Sequence, residues 1–335
     1  MIKLRIAVVA GLMIAALFST SCNKSSSGDK DNQSTDTIAA ASNDTAIAIN
    51  LESPVADEKI MLRFKPETGK TIYVENNTTF ASDESVDTMR IKANSTKYVK
   101  AKLFVKGKEE DAYAIELTLV DVHKTVKDDS GTINYQYNKP MAKPEDEMDR
   151  KVEDCMVNTT LTLLMTEKGE NTDVQGYEAI IKKVKAIVGA QVPDQYIAAN
   201  IGSPTDNLEY FFISYPDSAV KIGDTWDVEV PSVMQGVPIT LKTVFALADR
   251  RDGIAYINFN TVASVDKSKL PPEMAAEVDK IHFNAGVKGT GEIFENTGWP
   301  RLMKFTQYLD VSDSYQGHAT SSKQTGVSTI RIVQQ

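Results

Sequence analysis

Cys22 is the residue whose type and position indicate a defined chemistry, because its thiol follows a short export signal. Lys3 and Arg5 come first, and an apolar run over residues 6–18 follows them. This run is shorter than the roughly 20 residues that a membrane-spanning helix needs. A basic start, a short apolar stretch and small residues before the cut are typical of a signal peptide. The sequence therefore predicts a signal peptide over residues 1–21 and a mature chain that begins at Cys22.

The residues around the cut resemble the lipobox of Gram-negative lipoproteins, in which a small residue precedes the modified cysteine. Ser21 is that small residue, whereas Ser19 stands where leucine is usual. Lipoproteins of the Bacteroides group tolerate this difference. The resemblance implies lipid at Cys22, and several acyl chains on one cysteine hold a protein firmly in a membrane. We expect a lipid-anchored protein of the cell envelope in the outer membrane, with the periplasmic and surface faces both open. An ordinary signal peptide beside an unmodified cysteine is the alternative.

A polar stretch follows the expected cut. Residues 22–57 are rich in Ser, Asp, Asn and Thr and poor in large apolar side chains, a composition typical of a disordered tether. A flexible chain of about 35 residues has an end-to-end distance of roughly 30 Å. Thr37 and Thr45 each follow an aspartate, which resembles the O-glycosylation motif of Bacteroides-group proteins. The resemblance implies glycans at these two threonines, and a plain polar linker is the alternative.

Net charge and cysteine content bear on the partners of the chain and on its disulfides. The net charge is −9, and loss of Lys3 and Arg5 with the signal makes the mature chain more acidic, so nucleic acid is excluded as a partner. The chain has two cysteines. If Cys22 is acylated, Cys155 has no disulfide partner. Its place on an apolar stripe with helical spacing predicts a small buried side chain.

No pattern in the sequence predicts catalysis or a bound metal. His123, His282 and His318 are far apart and lack the paired His or Cys spacing of a zinc site. The chain also lacks a Gly-x-Ser-x-Gly elbow and a Walker-type loop. We therefore expect no catalytic residue, no metal and no cofactor.

The folded part has the pattern of antiparallel strands with helices in the middle. Apolar residues alternate over residues 113–119 and 257–263, as in strands buried on one face. Between them, the apolar residues of 177–188 recur with helical spacing, and Gly189 follows as a stop signal. The sequence predicts an α+β, β-rich fold.

Three short blocks recur in the same order along the chain, which predicts two copies of one β-rich unit. A fixed order of similar blocks favours an internal repeat over chance. The paired blocks are residues 69–75 with 223–229, 113–118 with 255–260, and 165–169 with 294–298.

The repeat sets the expected domain layout. A β-rich domain over residues 58–335 contains two related units of curved antiparallel sheet, 58–175 and 205–335. An amphipathic helical region, residues 176–204, lies between them. The apolar faces of the two sheets bury each other or pack on the helices.

Residues 215–226 resemble a motif of uncharacterised bacterial lipoproteins of the Bacteroides-group type. In that family a proline and a short spacer precede Val-x-Ile-Gly-Asp-Thr-Trp, which stands here at residues 220–226, and a Gly-Trp-Pro strand entry follows at residues 298–300. The likeness covers roughly residues 60–333. It implies a β-rich architecture and a lipid anchor, and it implies no catalytic residues because the family has no established activity.

Aromatic residues near the junction of the two halves are the candidates for a ligand pocket. Alternation along the strand predicts that Trp226 points into the core, whereas Trp299 at a turn is open to packing or to ligand stacking. The candidates are Trp226, Trp299, Phe211, Phe212 and Tyr215.

Together these features predict a non-enzymatic envelope lipoprotein that binds a ligand or partner through its β-rich domain. Within this class an apolar or glycan ligand is favoured over a peptide. A structural or assembly subunit of an envelope complex is the alternative, and an enzyme is the least favoured class. The membrane, reached through Cys22, and an unidentified small ligand or envelope protein are the expected partners.

Overall fold

The computed structural model describes residues 57–201, 205, 208, 210–234, 237–270, 281–315 and 318–334. The predicted signal peptide lies outside the described residues. The predicted tether does too, apart from residue 57.

Twelve strands among the described residues form one open antiparallel sheet. In chain order they are β1 Thr71–Val86, β2 Met89–Glu109, β3 Ala112–Asp128, β4 Gly131–Gln136, β5 Thr160–Thr166, β6 Asn171–Gln175, β7 Thr225–Met234, β8 Val237–Arg251, β9 Ile254–Val265, β10 His282–Phe294, β11 Pro300–Tyr315 and β12 His318–Gln334. Their order across the sheet is β6-β5-β3-β2-β1-β12-β11-β10-β9-β8-β7, with β4 paired to β3. The fold is therefore β-rich and continuous across both halves, and the layout of two related units stays a prediction.

Three α-helices occur in the described part of the chain. α1 (Glu147–Asp154) lies between β4 and β5, whereas α2 (Tyr177–Val188) and α3 (Asp194–Ile201) lie between β6 and β7. α2 has the boundaries that its apolar spacing predicts, and Gly189 directly follows its last residue. None of these helices has both the length and the apolar character required to span a membrane.

Both halves of the sheet begin with the same hydrogen-bonded turn. Gly69 precedes β1 and Gly223 precedes β7, with φ of 82° and 90°, a left-handed conformation that glycine adopts without strain. The Gly69 N–H donates to the Val105 carbonyl on β2, and the Gly223 N–H donates to the Leu247 carbonyl on β8, at 2.8 Å in both cases. In return, the N–H of each of these two strand residues donates to the carbonyl of the residue that follows its glycine. A register shift follows at both places.

One face of the sheet, here called the inner face, carries the buried side chains, because side chains alternate between the two faces of a strand. Leu117 on β3 and Ile257 on β9 are examples, at 0% and 2% exposed. Ile180 and Val184 of α2 belong to the same hydrophobic cluster as these strand residues. The main core therefore lies between the inner face, the helices and the segment that precedes β7.

Candidate functional site

Four of the five predicted aromatic residues meet at one end of the inner face. The rings of Phe211, Phe212 and Trp299 contact one another at centroid distances of 5.3 to 6.1 Å. Tyr215 bonds to the residue before Trp299. Phe64, which the sequence did not single out, packs on Trp299 edge to face at 4.8 Å. These five residues, Phe64, Phe211, Phe212, Tyr215 and Trp299, are called the packed region below.

The packed region is filled with side chains. Phe211, Tyr215 and Trp299 are 0%, 4% and 4% exposed, and Phe212 is half-buried. Burial raises the pKa of the Tyr215 phenol, so its hydroxyl stays neutral and donates to the Gly298 carbonyl. These rings contribute to packing, and a ligand pocket among them stays a prediction.

Trp226 lies apart from the packed region, on the edge strand β7. Its ring stacks on Phe245 at 5.4 Å, and its indole N–H donates to the Ser214 carbonyl at 2.8 Å. Trp226 is half-buried against the main core, in line with the alternation that the sequence shows. Ring contacts continue from Phe245 across the inner face through Phe259, Phe305 and Tyr210.

The motif at residues 215–226 joins separate parts of the chain at this end of the sheet. Val220 and Ile60 exchange backbone hydrogen bonds of 2.8 and 2.9 Å. The N–H of Tyr215 donates to the carbonyl of Lys168, in the turn between β5 and β6, at 2.8 Å. The motif therefore has a structural role: its backbone hydrogen bonds hold the segment before β1 and the β5–β6 turn together at this end of the sheet.

Histidines and carboxylates do not assemble into a shared centre in the described part of the chain. No group of three or more His, Cys, Asp or Glu side chains there is placed to hold a metal ion. His123 on β3 bonds to Asp121 at 2.9 Å. His282 starts β10, five strands away across the sheet, or about 24 Å along the sheet at the usual strand spacing. The two histidines therefore lie on separate parts of the sheet.

Cys155 is buried, as its place on an apolar stripe predicts. Its thiol donates to the Lys151 carbonyl at 3.2 Å, and burial raises the pKa of the Cys155 thiol. A thiol with a raised pKa supplies less of the nucleophilic thiolate. Cys155 therefore acts as a packing residue.

A second hydrophobic cluster lies on the inner face at the end opposite the packed region. Its buried members are Ile239, Leu241, Ala263, Ala285 and Leu309. The half-buried side chains around it are Phe80, Val265, Phe283 and Val311. All of these described residues lie on strands, and the buried members cross β8, β9, β10 and β11, a width of about 14 Å.

Residues that pair in register form rows across the sheet, and the two rows that contain Leu309 and Val311 become polar beyond β11. Leu309 and Val311 are in register with Gln324 and Ser322 of β12. The polar residues that continue the two rows over β12 and β1 are Gln324, Ser322, Ser82 and Glu84. The second cluster and these four polar residues are together called the amphipathic region. It pairs an apolar surface with a polar one on a single sheet face.

Glu84 is the charged group of the amphipathic region. The Gln324 amide donates to Glu84 Oε1 at 3.2 Å and to the Ser322 hydroxyl at 3.1 Å. In register, Glu84 faces Ile91 on β2 and Ser322 on β12, and neither residue is basic. Burial raises the pKa of the Glu84 carboxyl, although the bond from Gln324 acts in the opposite direction. An incompletely hydrated carboxylate of this kind favours an added hydrogen-bond donor.

A surface cavity of about 490 Å³ lies beside the turn between β8 and β9, lined by Asp252, Gly253, Phe294, Glu295 and Asn296. Arg250 holds the Glu295 carboxylate in two hydrogen bonds of 2.9 and 3.1 Å. Since this charge is compensated within the fold, the cavity is a weaker candidate than the amphipathic region.

Three predicted modification sites, Cys22, Thr37 and Thr45, lie outside the described residues. Their roles stay predictions.

The chain belongs to DUF6263, a family of unknown function, whose model matches residues 110–300. This match includes β3 to β10, the motif at residues 215–226 and the Gly298-Trp299-Pro300 strand entry. No curated protein matches the chain in sequence.

Among solved structures, the chain is similar to lipovitellin, from work on lipid–protein interactions, at 11% identity and a TM-score of 0.47. That match covers 79% of this chain and 25% of the other, so the chain spans about a quarter of lipovitellin. DynF from dynemicin biosynthesis in Micromonospora chersina has 7% identity and a TM-score of 0.19, with 84% and 91% of the two chains covered. OpdQ from Pseudomonas aeruginosa has 7% identity and a TM-score of 0.18, with 79% and 99% covered. Similarity at this level carries no argument about function.

Proposed function

We propose that the protein is a lipid-anchored component of the cell envelope that binds an apolar ligand on the inner face of its sheet and catalyses no reaction. One observation carries the binding part of the proposal. The inner face has a second hydrophobic cluster built from strand side chains, separate from the main core and bordered by half-buried apolar residues.

The lining of this cluster favours an apolar ligand over a glycan. Leu241 and Leu309 are aliphatic, and Phe283 is the aromatic residue at its β10 border. Ligand sites of this kind gain affinity from buried apolar surface, at about 25 cal/mol per Å², and use a few polar groups for orientation. The aromatic rings that a sugar would stack on are mostly enclosed in the packed region.

Dye binding tests the site in the chain from Asn23 onward, which retains every described residue. We expect Nile red, an uncharged apolar dye, to gain fluorescence with this protein and to be displaced by laurate. The double variant Val311→Ser and Phe283→Ser should weaken both by about tenfold, because each side chain contacts the cluster from its border.

The matched control is Val262→Ser, since Val262 is 46% exposed and neighbours the cluster residue Ala263 on the opposite face of β9. This control should bind as the wild type does. Equal binding by the double variant and the control would refute the site, and no saturable binding by the wild type would refute the function.

The anchor part of the proposal rests on the sequence around Cys22, where a signal peptide precedes a lipobox-like cut. Cells grown with a labelled fatty acid should label the wild type but not Cys22→Ser. Cys155→Ser is the control and should keep the label, because Cys155 is buried. Label in Cys22→Ser would overturn the assignment. Fractionation and protease shaving of intact cells would then separate the outer membrane from other locations and its two faces from each other.

We also propose O-linked glycans at Thr37 and Thr45, each of which follows an aspartate. The double change to alanine should increase the mobility of the protein on a denaturing gel when it is produced in its native envelope. Unchanged mobility would favour a plain linker.

A structural or assembly role is the second candidate function, favoured by the tip of the β1–β2 hairpin. Val86, Met89 and Ile91 are 46%, 69% and 38% exposed there, and neighbouring exposed apolar side chains are typical of protein contacts. Cross-linking in intact cells tests this role. A defined partner lost in Met89→Ser and Ile91→Ser, with dye binding unchanged, would favour it.

We propose that the sheet arose from two related units, one ending at β6 and one starting at β7. The shared turn at Gly69 and Gly223 supports this, because each glycine bonds to a strand residue followed by a register shift. The residues that the sequence aligns, Ile115 and Ile257, also face those two strand residues.

A further inference from the structure

We infer that the end of the β1–β2 hairpin is a lipid-contact site that inserts shallowly into a bilayer surface. Its apolar residues, Val86, Met89 and Ile91, are called the hairpin tip below. The inference rests on the proposed function in one respect, since the anchor proposed at Cys22 keeps the domain beside a bilayer. It assigns lipid, instead of a protein partner, to the residues that the second candidate function uses.

The apolar side chains of the hairpin tip form one patch. Val86, Met89 and Ile91 are 46%, 69% and 38% exposed, and Met89 is the most exposed large apolar side chain in the described part of the chain. Val86 and Met89 face each other in register, and Ile91 lies two residues further along β2. Since side chains two residues apart in a strand share a face, all three lie on the same side of the hairpin.

The backbone at the turn is hydrogen-bonded within the fold. The Asp87 N–H donates to the Ala319 carbonyl at 2.8 Å, and the Ala319 N–H donates to the Asp87 carboxylate at 3.0 Å. These bonds hold the turn against the start of β12. Backbone groups that are paired within the protein enter the apolar edge of a bilayer at lower cost than unpaired ones do.

Basic side chains on the other side of the hairpin suit lipid phosphates. Arg90 and Lys92 alternate with the apolar residues of β2, and their side chains are 61% and 59% exposed. Both pair with Asp83, Arg90 through Nε at 2.6 Å and Lys92 through Nζ at 3.7 Å, so two cations share one acid. On the apolar side, the Glu84 carboxylate accepts from the Gln324 amide at 3.2 Å. Long basic side chains keep their charged ends in water while neighbouring groups contact apolar surroundings.

Two properties favour a bilayer over a protein as the partner of the hairpin tip. Three partly exposed side chains offer far less surface than the roughly 800 Å² per partner of a stable protein interface, whereas a shallow bilayer contact adds to the affinity of an acyl anchor. The chain before Asp57 also permits the contact. About 35 residues extend up to about 115 Å, which is more than the roughly 50 Å length of the 16-residue strand β1.

A fluorescent label at the hairpin tip tests the insertion without the lipid anchor. The chain from Asn23 onward carries an N-terminal histidine tag and is held on phosphatidylcholine vesicles that contain a nickel-chelating lipid. Cys155→Ala removes the remaining cysteine, and Met89→Cys then carries the environment-sensitive dye NBD. We expect vesicles to raise its emission about threefold, and lipids with a spin label in the acyl chain to quench it.

Val327→Cys in the same background is the matched control. Val327 is 51% exposed on β12 and pairs with Thr79, seven residues before Val86 on β1, so it lies on the other face of the sheet about 23 Å from the hairpin tip. Its label should change little on the same vesicles. A label at position 89 that responds no more than the label at position 327 would overturn the inference.

A second pair of variants tests whether the neighbouring side chains drive the insertion. Val86→Ser with Ile91→Ser should reduce the response of the label at position 89 by at least half. Val244→Ser with Val262→Ser should leave it unchanged, because these valines are also 40% and 46% exposed but lie on β8 and β9. Equal responses in the two double variants would contradict the assignment of the hairpin tip. Circular dichroism of each variant checks that the sheet is intact.

The outcomes separate this inference from the proposed function. A silent label at position 89, together with a protein cross-linked through the hairpin tip in cells, would overturn the lipid contact in favour of a protein contact. The dye-binding and fatty-acid-labelling results would stand in that case. An inserted label in a protein that fails to bind Nile red would support the lipid contact and remove only the ligand site.

Discussion

The two ends of the inner face contrast in how their apolar side chains are covered. In the packed region, Phe64, Phe211 and Trp299 come from loops and fill the end of the sheet ring against ring. In the amphipathic region, the described residues are strand side chains, and the border residues Phe283 and Val311 stay half-buried. Loop residues complete the core at the first end. At the other end, the cluster residues that the structure describes all lie on strands.

The largest expected difference between the two ends is the cost of removing a side chain. Phe211→Ala should lower the free energy of unfolding by about 3–5 kcal/mol, because a fully buried ring leaves a cavity. Val311→Ala at the border of the amphipathic region should cost about 1 kcal/mol. Urea unfolding followed by circular dichroism measures both. Similar losses for the two variants would remove the contrast.

The next largest expected effect on stability comes from an ion pair near the packed region. The Arg250 side chain is 9% exposed and bonds to Glu295 at 2.9 Å and to Glu58 at 3.4 Å. Arg250→Ala should lower the free energy of unfolding by about 2 kcal/mol, because it leaves the partly buried Glu295 carboxylate without its ion-pair partner. The neighbouring Arg251→Ala is the control: its side chain is 61% exposed, and such surface pairs contribute at most about 1 kcal/mol. A cost no larger than that of the control would show that the ion pair does not fix this end.

The two half-sheets can be compared through their starting turns. Gly69→Ala and Gly223→Ala add a Cβ that meets nothing within 4 Å, at φ of 82° and 90°. The cost is therefore backbone strain alone, about 1–2 kcal/mol for each variant. Gly298→Ala should cost more, because its Cβ would lie 2.3 Å from the Arg63 carbonyl oxygen. If Gly69→Ala and Gly223→Ala lowered the stability by clearly different amounts in thermal unfolding, the two turns would not be equivalent.

The smallest expected effect is the pH dependence that Glu84 confers. Burial raises the pKa of its carboxyl above the ordinary value of 4.5, so the folded protein binds this proton more tightly than the unfolded chain does. The stability associated with Glu84 is then greatest below pH 4.5 and is lost as the pH rises through the raised pKa. Glu84→Gln should therefore stabilise the protein at pH 7 by about 0.5 kcal/mol.

That gain should disappear on acidification to about pH 4. Urea midpoints measured over this pH range, with the exposed Glu109→Gln as control, check the sign. A variant less stable than the wild type at neutral pH would show that the Glu84 carboxylate is stabilised and not penalised by its surroundings.

Local features of the fold were predictable from the sequence. The α2 helix follows from apolar spacing closed by Gly189, and the alternation over residues 113–119 and 257–263 corresponds to β3 and β9. The burial of Cys155 also follows from its position on an apolar stripe with helical spacing. These features depend on periodicity within one element, which needs no knowledge of distant contacts.

The candidate site was less predictable. Phe211, Phe212, Tyr215 and Trp299 were recognised as a group, but Phe64 was missed because no periodic pattern surrounds it. The amphipathic region combines residues of β1 with residues of β8 to β12. A signal was present, since Leu241 and Leu309 alternate within their strands, but strand order decides which strands are neighbours.

The sequence by itself determined the β-rich class and the helix over residues 177–188; the recurring blocks and the signal peptide before Cys22 are predictions from the same kind of pattern. Each depends on residues close together in the chain. Only the tertiary structure decided that β1 pairs with β12 and joins all the strands in one sheet. It also decided that Gln324 and Ser322 lie beside Leu309 and Val311, because register between strands sets these contacts and a shift of one residue would move each side chain to the other face.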